Sequence, residues 1–406
     1  MPEQKLQKTK WLSRDVLLIC FSAFFADLGY QGVTALFPLF VVLELHEPIY
    51  MYGIITAISF GAGSLFAYFG GKAGDKYDKK YVAILGNILI PLMAFSGLTH
   101  ILWLSGGLFI LGWWARYFRT PARRALLVNV SPHEMRAKVF GFLHALDIGG
   151  GMLSAFFAIL FIWLHIPIGT IILYAAVPLV VSSLLLFFIE RKMVYLDESI
   201  ALEKPEVTKA FAVNRGIFIA MLVAATFYGF SFYNLGFPIL TAAGGQAVTT
   251  GYTLGVLAYA IYLGVSAVSG YVLGSLRVSP LRSLWLLGYL PSALASALIG
   301  ASVMLHMNEL AFYLFIAVLG LGMGAVETFE PTLTSVLVRS NTLSKGMGWL
   351  SVSRSIGQFL SNLIMGILFA FSPSIPYFYA FGAALLATMI LGAADLRHAR
   401  NASVPR

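Results

Sequence analysis

Charge is scarce in this sequence. Only 11% of its 406 residues are Asp, Glu, Lys or Arg and 59% are apolar, where a soluble domain carries about 25% and about 45–50%. With a mean hydropathy of +0.83, that balance excludes an ordinary soluble domain and identifies an integral membrane protein. Cysteine is nearly absent as well. The single Cys20 excludes an internal disulfide and a thiolate metal site. No G-x-x-x-x-G-K-[ST] loop occurs, so ATP-driven pumping within this chain is unsupported. No H-E-x-x-H or C-x-x-C arrangement occurs either, and no cofactor or metal is expected. Lacking a nucleophile or metal motif, the chain is not expected to be an enzyme. Met1 to Arg14 has no short apolar stretch closed by a small-residue cleavage site, so the first apolar run is expected to remain as a helix.

Long apolar runs, by contrast, fill the chain. Twelve are predicted, over residues 15–44, 49–71, 80–100, 104–129, 137–163, 167–190, 214–242, 247–275, 281–303, 309–338, 344–371 and 374–396. Each can cross a hydrocarbon core of about 30 Å at about 1.5 Å per residue. Alternate connections then differ sharply in charge. Of the 27 Lys and Arg residues, all but Arg116 and Arg354, which lie inside predicted helices, fall on the side of the N-terminus. Cytoplasmic loops collect positive charge, so both termini are expected in the cytoplasm of a multi-pass protein of the cell membrane. The net charge of +9 needs no nucleic acid to explain it.

The longest polar interruption runs from Arg191 to Arg215 and divides six helices from six. The predicted division is an N-terminal bundle over 1–190, a cytoplasmic linker over 191–213 and a C-terminal bundle over 214–406. The halves echo each other at an offset of 200 residues. Gly29 matches Gly229, "FPL" at 37–39 matches "FPI" at 237–239, and Gly70 with Gly74 match Gly270 with Gly274. With small drifts, Gly86 answers Gly288 and Pro121 answers Pro331. A duplicated six-helix unit suits a transporter whose halves rock about a site near the bilayer midplane.

Against the scarcity of charge, four lysines and two aspartates crowd into Gly70 to Lys80. The stretch "GKAGDKYDKK", from Gly71 to Lys80, resembles the loop between helices 2 and 3 of the major facilitator superfamily. Gly71, Asp75, Lys76, Lys79 and Lys80 fit the family pattern, while Asp78 stands where glycine is usual and leaves the turn looser than usual. The resemblance implies twelve helices in two six-helix bundles related by a pseudo-twofold along the membrane normal. It further implies that Asp75 latches onto the start of helix 11 when the cytoplasmic side is closed, a contact the helix dipole favours. "RYFRTPARRALL" and "GFLHALDIGG" resemble a prokaryotic branch of that family in Arg116, Arg119, Pro121, Arg123 and Asp147. The glycine-rich element of its drug antiporters is not matched by "GGGMLSAFFA" (149–158), which lacks the proline and the final glycines.

Ionisable groups at membrane depth are costly and so tend to face the bundle interior and pair or bind something. Asp27, Tyr30, Gln31 and Thr34 form one polar stripe on the first helix. Asp147, with His144 one turn earlier, reaches a similar depth in the fifth, and Arg116 in the fourth and Arg354 in the eleventh complete the central set. Glu327 lies deeper towards the cytoplasm, Asn234 sits with Tyr228, Phe232 and Tyr233 in helix 7, and Glu330, next to Pro331, is expected as a gate. The expectation is a monomeric secondary transporter that moves a small-molecule solute by alternating access, with protons as the coupling ion and efflux of a small organic compound as the leading direction. Uptake of an organic anion by symport, prompted by Arg116 and Arg354, and a non-transporting receptor or scaffold are the alternatives.

Overall fold

The computed structural model describes residues 12–131, 136–190, 210–231, 235–276, 278–338 and 343–403. The linker expected over 191–213 lies largely outside them, as do Phe232, Tyr233 and Asn234. Among the described residues the chain forms twelve helical rods. In the first half these are α1 (Arg14–Leu39), α2 (Ile49–Thr56 and Gly63–Lys76), α3 (Lys79–Leu89), α4 (Leu102–Asn129), α5 (Arg136–Trp163) and α6 (Ile168–Tyr174 and Ala176–Phe187). The second half has α7 (Ala210–Ser231 and Gly236–Ala243), α8 (Val248–Ser275), α9 (Leu290–Met304), α10 (Glu309–Leu337), α11 (Leu343–Phe371) and α12 (Ile375–Ser403).

Eleven of these rods are long and apolar enough to cross a bilayer; α4 is of similar length but carries Arg116, Arg119, Arg123 and Arg124. The least apolar rod thus bears the charged stripe. Where the sequence suggests one helix over 80–100, α3 gives way to a 3-10 helix at Ile90–Leu98, because Pro91 supplies no N–H to an α-helical ladder.

Three connections at the end away from the charged loop share one closure. His46, His165 and His306 adopt left-handed conformations with φ of 57°, 58° and 49°. The next N–H then bonds back into the helix: Glu47 to Val41 at 3.1 Å, Ile166 to Phe161 at 3.1 Å and Met307 to Ser302 at 2.9 Å. Each closure satisfies a carbonyl that a helix end would otherwise leave unpaired. Pro48, Pro167 and Asn308 then cap the following helices.

Packing repeats between the halves. In the first, α1 lies on α5 and α6, α2 on α4, and α3 on α4 and α6; in the second, α7 lies on α11 and α12, α8 on α10, and α9 on α10 and α12. The pairs that cross between halves, α2 with α11 and α5 with α8, exchange under the same shift of six. That pattern is the two-fold relation which the glycine and proline matches announce.

The halves touch at one end and part towards the other. Near the start of α2, a Cβ added to Gly53 would stand 2.7 Å from the Asn362 carbonyl oxygen and 3.0 Å from the Gly366 Cα, so only glycine admits α11 this close. Thr56 bonds Asn362 across the gap at 3.3 Å, and Tyr52 meets the Phe237 ring edge-on at 5.7 Å. Further along, α2 turns to its own half: a Cβ on Gly70 would fall 1.9 Å from the Phe118 carbonyl oxygen. Among the described residues the halves are therefore closed at the histidine-capped end and part towards the end of the basic loop, beyond the contact of Gly61 with Phe359.

Candidate functional site

The site is built from charges on α1, α4 and α5 of the first half and on α10 and α11 of the second. On α4 the spacing of three and four residues sets Arg116, Arg119 and Arg123 along one stripe. The Arg116 guanidinium lies over three rings, 4.6 Å from the centre of Tyr30, 4.9 Å from Trp113 and 5.9 Å from Tyr117. A cation over such rings is attracted by their negative faces, and more so when water is excluded. The ion-pair partner of Asp147 is a neighbour of Arg116 on the same stripe: Asp147 Oδ2 is 4.0 Å from Arg123 Nη2. About two turns separate Arg116 from Arg123 on α4, and Asp147 stands at the level of Arg123.

Arg119 is 1% exposed and donates to Asn87 Oδ1. The Asn87 amide in turn donates to the hydroxyls of Ser182 at 3.0 Å and Ser183 at 2.8 Å. This guanidinium is anchored to α3 and α6 rather than turned to the centre. Asp27 is 4% exposed, and its Oδ1 accepts a hydrogen bond from the Gln31 amide at 3.3 Å. Its Oδ2, Arg116 Nε, Arg123 Nε and Nη1, and Asp147 Oδ1 are buried without a hydrogen-bond partner.

In the second half one guanidinium serves two carboxylates. Arg354 Nη1 reaches Glu327 Oε1 at 2.9 Å and Arg354 Nε reaches Glu330 Oε2 at 3.0 Å. Tyr289 donates to Glu330 Oε1 at 2.7 Å, and its ring stacks on Tyr228 at 4.7 Å. The sequence suggests a gate at Glu330; the side chain is fully buried and belongs to the Arg354 cluster, because Pro331 lies inside a continuous α10 and not at its end. Glu327 is the exposed member, with 47% of its side chain accessible. It lies within electrostatic reach of Arg124 and His144 across the separation between the halves.

The charged loop has a different character. Asp78, expected to loosen the turn, caps α3 by accepting the Lys80 N–H at 2.9 Å. Lys80 Nζ donates to the carbonyls of Phe187 at 2.9 Å and Ile189 at 2.6 Å, closing the end of α6. Lys76 lies exposed over the Tyr77 ring at 5.3 Å, Gly71 faces Pro121, and Lys79 opens α3. Asp75 sits in the last turns of α2; its side chain and residues 339–342, which precede α11 in the chain, lie outside what is described, as does Asn234.

Sequence reasoning missed Asn87, Tyr259 and Tyr289. Asn87, a polar residue inside an apolar run beside Gly86, carried a readable signal. The two tyrosines carried none, since 19 tyrosines are spread through lipid-facing and interior positions alike.

The family model of the Major Facilitator Superfamily matches residues 19–277. No curated protein matches the chain. Among solved structures, a POT family transporter in complex with 5-aminolevulinic acid is similar with a TM-score of 0.76 at 12% identity, covering 94% of this chain and 96% of that one. The peptide transporter POT in complex with sulfate gives 0.74 at 14% identity, over 95% and 94%. A mutant of the nucleoside transporter NupG gives 0.68 at 11% identity, over 93% and 99%. At such identities these likenesses concern the fold.

Proposed function

Because the chain belongs to the Major Facilitator Superfamily, we propose that it is a secondary transporter of the cell membrane that carries a small organic anion by alternating access, coupled to protons. The observation that carries this reading is the Arg116 guanidinium, held on aromatic faces with its Nε unpartnered near the middle of the bundle. A carboxylate or phosphate can take up such a cation through paired, charge-assisted hydrogen bonds. Around it the first half holds Arg116, Arg119 and Arg123 against Asp27 and Asp147, an excess of positive charge that an anion would neutralise.

Asp27 is the proton site of this reading. A carboxylate that competes with the substrate for Arg116 releases the guanidinium when it takes a proton, which ties substrate binding to protonation. Similar folds are seen with 5-aminolevulinic acid and with sulfate bound, and both are compatible with an anion subsite. Orientation with both termini in the cytoplasm follows from the basic loops, and the halves then part on the cytoplasmic side. The transporter is taken to act as a monomer.

The test is a melting-temperature screen of purified protein against organic carboxylates, phosphates, neutral solutes and amines. A substrate raises the melting temperature with its concentration by mass action. Anions should do so, and Arg116→Gln should require about tenfold more anion for the same rise. Stabilisation by neutral or cationic solutes with none from anions would overturn the reading. The sign of the pH change inside dye-loaded vesicles on adding the stabilising anion then distinguishes uptake from the efflux of an organic compound that the sequence first suggests.

A further inference from the structure

One side chain of the first half reaches through to the second. Gln31 leaves α1 between α5 and α8, and glycine at 151 leaves it room: a Cβ there would stand 3.3 Å from Gln31 Cγ, a tight contact, and 3.5 Å from Leu263 Cδ1. On the far side the Tyr259 hydroxyl, on α8, donates to Gln31 Oε1. On the near side the Gln31 amide donates to Asp27 Oδ1 at 3.3 Å. The polarity of this chain is fixed by its two ends. An ionised Asp27 only accepts, so it draws the amide N–H towards itself and turns the amide oxygen to α8, where a tyrosine hydroxyl can donate to it.

We propose that Tyr259, acting through Gln31, makes closure of the histidine-capped end depend on the charge of Asp27. With Asp27 ionised, the amide is clamped by a charge-assisted bond and Tyr259 ties α8 to α1. With Asp27 protonated, the bond is between neutral partners and roughly half as strong, the amide is free to turn, and the tie across the halves weakens. Loss of the proton therefore favours the closed form seen here, and gain of a proton favours its opening.

The groups that surround Asp27 are consistent with it as the titrating member. Facing it are Tyr30 on its own helix, Arg116 and Arg123 from α4 and Asp147 from α5, with Arg119 of α4 also within electrostatic reach. From α8 comes Tyr259, through Gln31. Of the other segments packed on α1, Ala176–Phe187, Gly236–Ala243 and Ile90–Leu98 contain no acid or base, Phe40–Glu44 brings Glu44, which accepts from the Ile168 N–H at 3.4 Å, and Ile168–Tyr174 contributes only Tyr174, whose ring packs on Phe161. Tyr259 reaches Asp27 only through Gln31, so it is a positioning residue.

This inference rests on the proton-coupled reading above, and its readout is distance, not transport. Spin labels are placed at Glu47→Cys and Ala247→Cys, at the closed end of each half, with Cys20→Ala to remove the native thiol. The parent protein should show mostly the short distance at pH 8 and a growing long-distance population at pH 5.5. Tyr259→Phe should raise the long-distance population at pH 8 by about fivefold, the ratio equivalent to one neutral hydrogen bond, and flatten its pH dependence. Gln31→Ala removes the same bridge from the other side and should reproduce that effect, guarding against a folding defect of one variant. Asp27→Asn should make the distribution independent of pH.

Parent-like distances and pH response in both Tyr259→Phe and Gln31→Ala would overturn the inference, as would a pH response retained in Asp27→Asn. Failure of anions to stabilise the protein, with the distance response intact, would instead reject the organic-anion substrate and leave the tie standing.

Discussion

The two halves solve the same problem, burying charge in a membrane protein, in opposite ways. In the second half Arg354 is gripped at 2.9 and 3.0 Å by two carboxylates, and a tyrosine holds one of these at 2.7 Å. In the first half the pair of Arg123 with Asp147 spans 4.0 Å, Arg116 lies on rings, and more guanidinium and carboxylate atoms lack a hydrogen-bond partner than in the second half, where Arg354 Nη2 and Glu330 Oε2 do. A charge whose partners are already in place contributes to fixing helices. One whose hydrogen-bonding capacity is unspent is available to a ligand, since an unsatisfied buried polar atom is costly until something meets it. Under the proposed function, this difference puts the anion site in the first half and a fixed ionic cluster in the second.

The sharpest way to break this comparison is at Arg354. Arg354→Leu leaves two carboxylates without a cation, and loss of one partner of a buried pair costs about 3–5 kcal/mol; equilibrium unfolding in detergent should show it. A cost no larger than that of Arg116→Gln would dissolve the distinction between the halves. Combining Arg354→Leu with Glu327→Leu and Glu330→Leu should recover most of the loss, because a well-packed apolar replacement of a buried ionic cluster is often close to neutral.

A smaller effect is expected at Tyr289. Its conversion to Phe deprives buried Glu330 of a donor, which costs about 1–3 kcal/mol, and the same unfolding measurement reads it. Next comes Arg116→Gln, which should weaken binding of a stabilising anion by about tenfold, or about 1.4 kcal/mol, while changing the unfolding midpoint less than Tyr289→Phe does. Smallest is Lys80→Ala at the end of α6. A cation at a helix C-terminus contributes about 0.3–1 kcal/mol, and the loss should shrink as salt is added. If Lys80→Ala abolished transport with no loss of stability, the lysine would be a gate after all.

Much of this was legible in the chain. Long apolar runs name themselves, because a hydrocarbon core demands about twenty residues per crossing, and the offset of 200 residues between Gly29 and Gly229 exposes the repeat that the helix pairing bears out. Asp27, Arg116, Asp147 and Arg354 stood out for a related reason: a charge inside an apolar run is conspicuous. Their partners were not legible. That Asp147 meets Arg123, that Glu330 turns inward to Tyr289, and that Asp78 caps a helix depend on which face each rod presents and how far along its neighbour it sits.

The sequence by itself determined a twelve-helix membrane protein of two like halves, with charges held at depth, because hydropathy and repeat spacing are properties read along one dimension. Only the tertiary structure decided which of those charges are spent and which are free, and that Gln31 passes beside Gly151 to meet Tyr259. Angstrom-scale distances between residues more than a hundred positions apart settle such pairings, and they come into being only when the rods pack.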